Sequence, residues 1–342
     1  MGAPGGFEDT GLVLAGAVAK GAFEIGAAQV LARRPRRITR VAATSSGALN
    51  AAILGTGLAF DQFPAAVDVA TELWKREGSW TGIAHLSLGA LMHLEGALDT
   101  TKLAALVKEG IAQVAEGAGV VAAHSCADAL KVTLITADLQ GVRCDGVLPT
   151  YERPLQFTAT DFRDPARWDA IATAAAASAS FPGLFSPTLV GGDPCVDGGA
   201  VNNAPISYLL DDESAIESVI TITAQPRVPG PLPAPLGGSN LISHLAEVLT
   251  NERLSRDLLQ ADKTNARLQA VEDVMNKLNV SAEAAKAIKA ALGWRYLGQT
   301  LICPATSLPG TSFAGFGDAK LRAGYIAAGV EAAEKALQQA SR

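Results

Sequence analysis

Ala43-Thr44-Ser45-Ser46-Gly47 stands between an apolar run, Ile38 to Ala43, that reads as a strand, and a run from Ser46 to Leu54 that reads as a helix. A serine at a tight strand-to-helix turn is held at the tip of a sheet with its hydroxyl exposed and its backbone strained, the arrangement called a nucleophile elbow. Small residues two before and two after the serine let strand and helix approach closely. Gly47 meets that need, and Ala43 stands where glycine is usual. Small-residue turns also occur in packed cores and phosphate loops, so the flanking strand and helix give the pentapeptide its weight.

Upstream of the elbow the pattern repeats. Gly11 to Ala15 reads as a short buried strand, and Lys20 to Arg33, with Ala22, Phe23, Ile25 and Val30 apolar, as an amphipathic helix. Strand–helix–strand–helix order argues for a mainly parallel sheet covered by helices. Between the first strand and helix lies Gly16-Ala17-Val18-Ala19-Lys20-Gly21. Backbone N–H groups that open a helix lack intrahelical acceptors and can hold a developing negative oxygen. Nucleotide phosphates are the competing ligand. A dinucleotide fingerprint needs glycine where Val18 stands, and a P-loop needs lysine where Ala22 stands, so both fail.

Downstream, 62–117 reads as helical. Strands are expected at Lys131 to Ala137, Gln156 to Thr160 and Ser218 to Ala224. Residues 225–238 hold five prolines and form a loop. Apolar residues from Leu241 to Met275 recur at helical spacing, so a helix is expected over Ser239 to Leu278, then a strand from Gln299 to Cys303 and a helix from Asp318 to Gln339. Two long uncharged stretches, Val41 to Phe60 and Ala170 to Gly192, have the length of a membrane span. The first contains Thr44, Ser45, Ser46, Asn50 and Thr56, and the second is broken by Pro182 and Pro187, so both read as core elements.

The 342 residues are 49% hydrophobic and 18% charged, enough apolar material for a sizeable core. A net charge of −6 gives no reason to expect nucleic-acid binding. Cys126, Cys144, Cys195 and Cys303 form no Cys-x-x-Cys pair, so neither a zinc site nor a redox motif is indicated, and free thiols are expected. No basic, apolar leader is visible before Asp9, which points to a cytoplasmic location with at most peripheral membrane contact. Arg33-Arg34-Pro35-Arg36-Arg37 is a basic cluster that reads as a solvated loop or as an attractor of anionic headgroups. The stretch containing Trp74, Trp80, Ile83, Leu86, Leu88, Leu91 and Leu94 reads as packed helix or as a lipid-facing lid.

An acylating serine needs a base. None of His85, His93, His124 and His244 lies in a motif. The notable acid is Asp197, in Cys195-Val196-Asp197-Gly198-Gly199-Ala200, where two glycines let a backbone pass close to another element. An ordinary Asp-Gly turn is the alternative at that point.

Taken together, the loop Gly16–Gly21, the elbow Ala43–Gly47 and Asp197–Gly199 resemble, in order and spacing, the patatin family of acyl hydrolases. So do Ser45 to Ala51, Ala179-Ser180-Phe181-Pro182-Gly183-Leu184-Phe185 and Val201-Asn202-Asn203-Ala204-Pro205, and the likeness spans about residues 10 to 210. The resemblance implies a three-layer α/β/α fold with a mainly parallel central sheet and additional C-terminal helices. It implies a catalytic domain over 9–224, the proline-rich loop over 225–238, and a helical region over 239–342 packed on that domain. Ser45 is the expected nucleophile, Asp197 its base without a histidine, and Gly16, Ala17 and Val18 the oxyanion hole. No cofactor or metal is implied, and the expected substrate is a lipid or other acyl ester. Two departures stand out. The family's glycine triplet is here Gly16-Ala17-Val18, and a β-branched Val18 is costly if its position needs positive φ. Ala43 is the milder one. Two alternatives remain open: a Ser–Asp–His triad enzyme completed by His244, and a catalytically weak lipid-binding protein with an altered loop.

Overall fold

The computed structural model describes residues 9–34, 36–86, 98–118, 126–142, 149–210, 216–228, 238–293 and 296–340. β1 (Asp9–Leu14) alternates its side chains between two cores: Leu12 and Leu14 face one, Val13 the other. That period of two is what a strand buried on both faces must show. β1 leads through a 3-10 turn, Val18–Gly21, into α1 (Ala22–Ala32), and the chain returns as β2 (Arg37–Thr44), parallel to β1. α2 (Ser46–Ala59) follows at once.

The expected amphipathic helix is buried almost all round. Gly26, Ala27 and Ala28 are covered as fully as Phe23 and Ile25. Their cover is α8 (Ala319–Ala340), whose Ile326 carbonyl and Gly329 lie against the α1 backbone. The sequence locally shows small residues, which give no hint of a partner helix some 300 residues on.

The region expected to be wholly helical is α3 (Phe63–Glu77), a one-turn helix Trp80–Ile83, and α4 (Thr101–Gly117), with β3 (His85–Leu86) and β4 (Leu98–Asp99) paired antiparallel between them. Strands of two residues are too short to show a period. Leu88, Leu91 and Leu94 lie outside the described residues.

β5 (Lys131–Val142) runs past its expected end. β6 (Thr150–Thr158) begins six residues before the expected strand, and Ala159–Arg163 is a helical turn. After α5 (Trp168–Ser178) come β7 (Thr188–Val190), β8 (Asp193–Asp197) and β9 (Ser218–Ile222). α6 (Gly238–Lys277) is uninterrupted over 40 residues, and α7 (Ala282–Leu292) and β10 (Gly298–Ile302) precede α8. The main sheet runs β10-β9-β1-β2-β5-β8-β7, with β6 paired to β5. β10, β9, β1, β2 and β5 are mutually parallel; β6 and β8 pair antiparallel to β5, and β7, antiparallel to β8, runs again in the direction of β5.

One face of the sheet carries α1, α2 and α8 with α3, α4 and α5, joined through Phe23, Leu54, Val107, Ile171, Tyr325 and Leu337. Each such buried side chain contributes about 1.5–3 kcal/mol. The other face is covered by Ile206, Leu209, Ile216 and Leu254 of α6. Asn265 of α6 is tied to Leu297, just before β10, by two hydrogen bonds of 3.0 and 2.8 Å. This is the three-layer arrangement the sequence implied. The two long uncharged stretches are β2 with α2, and α5 with the turn into β7. Among the described residues no helix is long and apolar enough to cross a membrane.

β5 positions the site. Its one edge pairs with β6 over 131–137. On the opposite edge β2 pairs up to Thr44↔Ile135, and β8 takes over from Thr136↔Asp197. The end of β2 and the end of β8 therefore meet on neighbouring residues of one strand, which brings together positions 45 and 197.

Candidate active site

Ser45 follows β2 with φ 56° and ψ −130°, outside the ordinary wells of a residue with a Cβ. Such strain costs on the order of 1–3 kcal/mol and persists only where neighbours hold it. Here Ser178 holds it. Its hydroxyl accepts the Ser45 N–H at 2.9 Å and donates to the Ile135 carbonyl at 2.5 Å. Gly47 lies against the Leu14 carbonyl, which a Cβ there would meet at 2.3 Å. Ala43 is fully buried in regular pairing with Leu14 and Leu134, so its methyl is accommodated.

Ser45 is the N-cap of α2, yet its hydroxyl makes no capping bond. A capping serine contributes about 1 kcal/mol. That bond is forgone: the Ser45 hydroxyl donates to Asp197 Oδ2 at 2.6 Å. The other carboxylate oxygen of Asp197 accepts the Gly199 N–H at 2.7 Å, and the Asp197 N–H donates to the Ser180 carbonyl at 2.9 Å. Ser45 and Asp197 are both buried. Burial pushes the Asp197 carboxyl up to about 6, against the lowering effect of its bonds from Ser45 and Gly199.

Of the loop donors, the Gly16 N–H reaches the Asn203 carbonyl at 3.3 Å, and Ala17 donates to the Ser46 hydroxyl at 3.0 Å. Ala19 donates to the Ser312 carbonyl and Lys20 to the Ala17 carbonyl. Val18 N–H alone in this run has no acceptor among the described residues, and Val18 has φ 53°. The position does require the left-handed conformation that its β-branched side chain disfavours. Gly16 has no room for a side chain, since a Cβ would meet Asn203 Oδ1 at 2.4 Å and Ser45 Cβ at 2.7 Å.

A cavity of about 30 Å³ opens on Ser45 and Asp197, walled by Val18, Ile83, Leu103, Leu184, Phe185 and Phe316. That is room for a water rather than for a hydrocarbon chain. Phe181 joins its wall and packs edge-on to Phe313, which stacks with half-exposed Trp80. Ile83 is buried in this wall, and Trp74 packs in the same cluster, so of the two readings of this stretch these members follow packing.

Ser45 and Asp197, far apart in sequence, are thus in direct contact, and the 16–18 loop adjoins them. No histidine lines the cavity among the described residues, and His244 lies on α6. His93 and His124 lie outside the described residues. The basic cluster runs into the first residue of β2, Arg37, at the end of the strand remote from Ser45, about 25 Å away by strand rise. Arg37 pairs with Asp9 at 3.1 Å. Cys195 and Cys303 are free thiols. Sequence reading did not single out Ser178 and gave no role to Ser46 or Asn203, which appear there only as members of the elbow and of the stretch 201–205. The one local signal for Ser178 is a hydroxyl ending the alanine-rich run of α5.

A family model described as patatin-like phospholipase matches residues 12–210, the stretch from β1 past the base-bearing turn. The chain belongs to the patatin-like phospholipase family. Membership supports lipid acyl hydrolysis in general terms. No curated protein matches the patatin-like chain in sequence. Among solved structures, VipD from Legionella pneumophila is similar over 97% of this chain and 67% of its own, at 14% identity and a TM-score of 0.39.

Proposed function

We propose that this patatin-like chain hydrolyses carboxylic esters of lipids with a Ser45–Asp197 dyad and an acyl-enzyme intermediate. The observation behind this reading is the 2.6 Å hydrogen bond from a backbone-strained, buried serine to a buried aspartate. The proton on Ser45 passes to Asp197 Oδ2 as Oγ attacks the ester carbonyl carbon. The carbonyl oxygen becomes an oxyanion facing the 16–18 loop, where the Val18 N–H is the uncommitted donor, at the positive end of α2. Collapse expels the alcohol, which takes its proton from the Asp197 carboxyl. A water then gives a proton to Asp197 and attacks the acyl-serine. Breakdown releases the fatty acid and returns the proton to Ser45. Burial makes a weak base workable: it raises the proton affinity of Asp197 toward the operating pH and keeps bulk water away.

The direct contact disfavours a triad, since a relay histidine has to sit between serine and carboxylate. Contact with a lipid surface, in this reading, falls to the Trp80–Phe313 side beside the cavity rather than to the remote basic cluster.

A fluorophosphonate probe tests the assignment. Wild-type protein and His244→Ala are expected to label, Ser45→Ala to lose labelling entirely, and Asp197→Asn to label at least a hundredfold more slowly. Labelling that persists in Ser45→Ala overturns it.

A further inference from the structure

Two peptide groups set the direction of the Val18 N–H. The first joins Ala17 to Val18. Its carbonyl accepts the Lys20 N–H at 3.0 Å. A planar trans peptide points its C=O and N–H in opposite directions, so the Val18 N–H is turned away from Lys20. Val18 itself stands in the wall of the Ser45 cavity. The second peptide, joining Gly16 to Ala17, is held at both ends. Its oxygen accepts Asn203 Nδ2 at 3.1 Å, and its N–H donates to the Ser46 hydroxyl at 3.0 Å. Gripped in this way, the peptide cannot rotate without breaking one of the two bonds.

Both grips come from segments that carry the dyad. Ser46 is the first residue of α2, next to Ser45. It reaches the loop because Gly21 has no side chain: a Cβ there would meet Ser46 Oγ at 2.7 Å. Asn203 lies on the segment that follows Asp197. There the Asn202 N–H donates to the Gly198 carbonyl at 2.8 Å, and the Asn202 carbonyl accepts the Thr44 hydroxyl at 2.8 Å, which ties the segment to the end of β2. Asn203 also holds Gly16 through backbone, its carbonyl accepting the Gly16 N–H at 3.3 Å. The Asn203 side chain is buried, and its Oδ1 has no partner among the described residues. A buried orphan acceptor is costly, so packing alone would favour a leucine there. What the amide adds is the bond from Nδ2. The strain at Val18, φ 53°, persists only where neighbours of this kind hold it.

We infer that Ser46 and Asn203 are positioning residues: together they clamp the Gly16–Ala17 peptide, and the clamp aims the Val18 N–H at the oxygen that becomes negative on the ester carbonyl. This rests on the reading of Ser45 as nucleophile and of the Val18 N–H as oxyanion donor. Neither side chain touches the substrate. Because both grip one peptide, losing either frees it, and losing the second adds little. Because the donor acts on charge that develops only in the transition state, a loosened clamp lowers kcat and leaves KM alone.

The full-length chain with p-nitrophenyl butyrate as probe decides the matter. An oxyanion donor lost outright costs roughly 100- to 1000-fold in kcat, so Ser46→Ala and Asn203→Ala, which misdirect the donor, are each expected to lower kcat about tenfold or more with KM unchanged. The double variant is expected to fall within about threefold of the weaker single one, whereas independent defects multiply. Ser46→Ala removes a single oxygen, so it carries the test even if Asn203→Ala fails to fold. Folded Ser46→Ala protein with an undiminished kcat, or with its loss wholly in KM, overturns the clamp, and so does a double variant whose two losses multiply. Ser45→Ala separates the two readings: butyrate hydrolysis that survives it sinks the nucleophile, whereas Ser45-dependent hydrolysis with an unmoved kcat in Ser46→Ala sinks the clamp alone.

Discussion

At Asp197 stability and chemistry pull in opposite directions. Its folded-state carboxyl titrates near 6, above an ordinary value of 3.8, because burial penalises the charge. A raised carboxyl means the folded protein holds a proton that the unfolded chain has lost. The associated stability is complete below about pH 4 and is lost as pH rises through about 6. Two consequences are measurable. The rate constant kcat/KM is expected to rise with pH through an acid limb centred near 6, as the base ionises. Asp197→Asn is expected to be inactive yet more stable than wild type near pH 8, by at most about 3 kcal/mol, with the gap closing toward pH 4 in denaturant titrations. Equal stabilities at both pH values would contradict the burial account. Ser45 and Asp197 could be named as candidates from the sequence because the loop, the elbow and the Asp-Gly-Gly turn occur together and in order, although neither turn decides the matter alone; the structure puts the two side chains in contact. Ser178 was not, because its importance lies in a contact with the Ser45 N–H across 133 residues. Val18 was legible as a difficulty, and the structure places the difficulty in its backbone, at φ 53°.

Elements meet here through backbone rather than through large side chains. α1 and α8 cross so closely that a Cβ at Gly26 would meet the Ile326 carbonyl at 1.9 Å, and one at Gly329 the Phe23 carbonyl at 2.0 Å. Gly→Ala inside a helix ordinarily stabilises by up to about 1 kcal/mol. Gly329→Ala is expected to reverse that sign and cost about 2 kcal/mol, read from a thermal or urea melt. A neutral or stabilising result would show that the helices can slide apart freely. The same crossing explains how the sequence misled at this scale. The strand–helix alternation around residues 11–54 was strong enough to give the fold class, because period two and period 3.6 are local properties. Whether α1 is half-buried or wholly buried depends on α8, and the Gly26-Ala27-Ala28 face looks the same either way. The β3–β4 pair escaped notice for the simpler reason that two residues carry no period.

For the whole molecule, the main sheet draws on nearly the full length of the chain, from β1 at Asp9 to β10 at Ile302, and α8 closes the helical layer from beyond it. α1 and α8, close to the two limits of the described residues, are therefore neighbours, and α1 is covered only when α8 docks. The abutment of β2 and β8 on a single edge of β5 has a temporal meaning as well. Elongation proceeds at roughly 5–20 residues per second, so on the order of ten seconds or more separate the appearance of the serine from that of its base. For most of that interval Ser45 has neither Ser178 to hold its backbone nor Asp197 to accept its proton, and it is chemically an unactivated alcohol. If the proposed dyad is right, a chain of this build is born disarmed: its half-made form has a serine but nothing to take the proton. Refolding from denaturant should show the same delay, with esterase activity returning after the far-ultraviolet helical signal rather than with it. Coincident recovery of the two would mean that the dyad assembles in the first cooperative step.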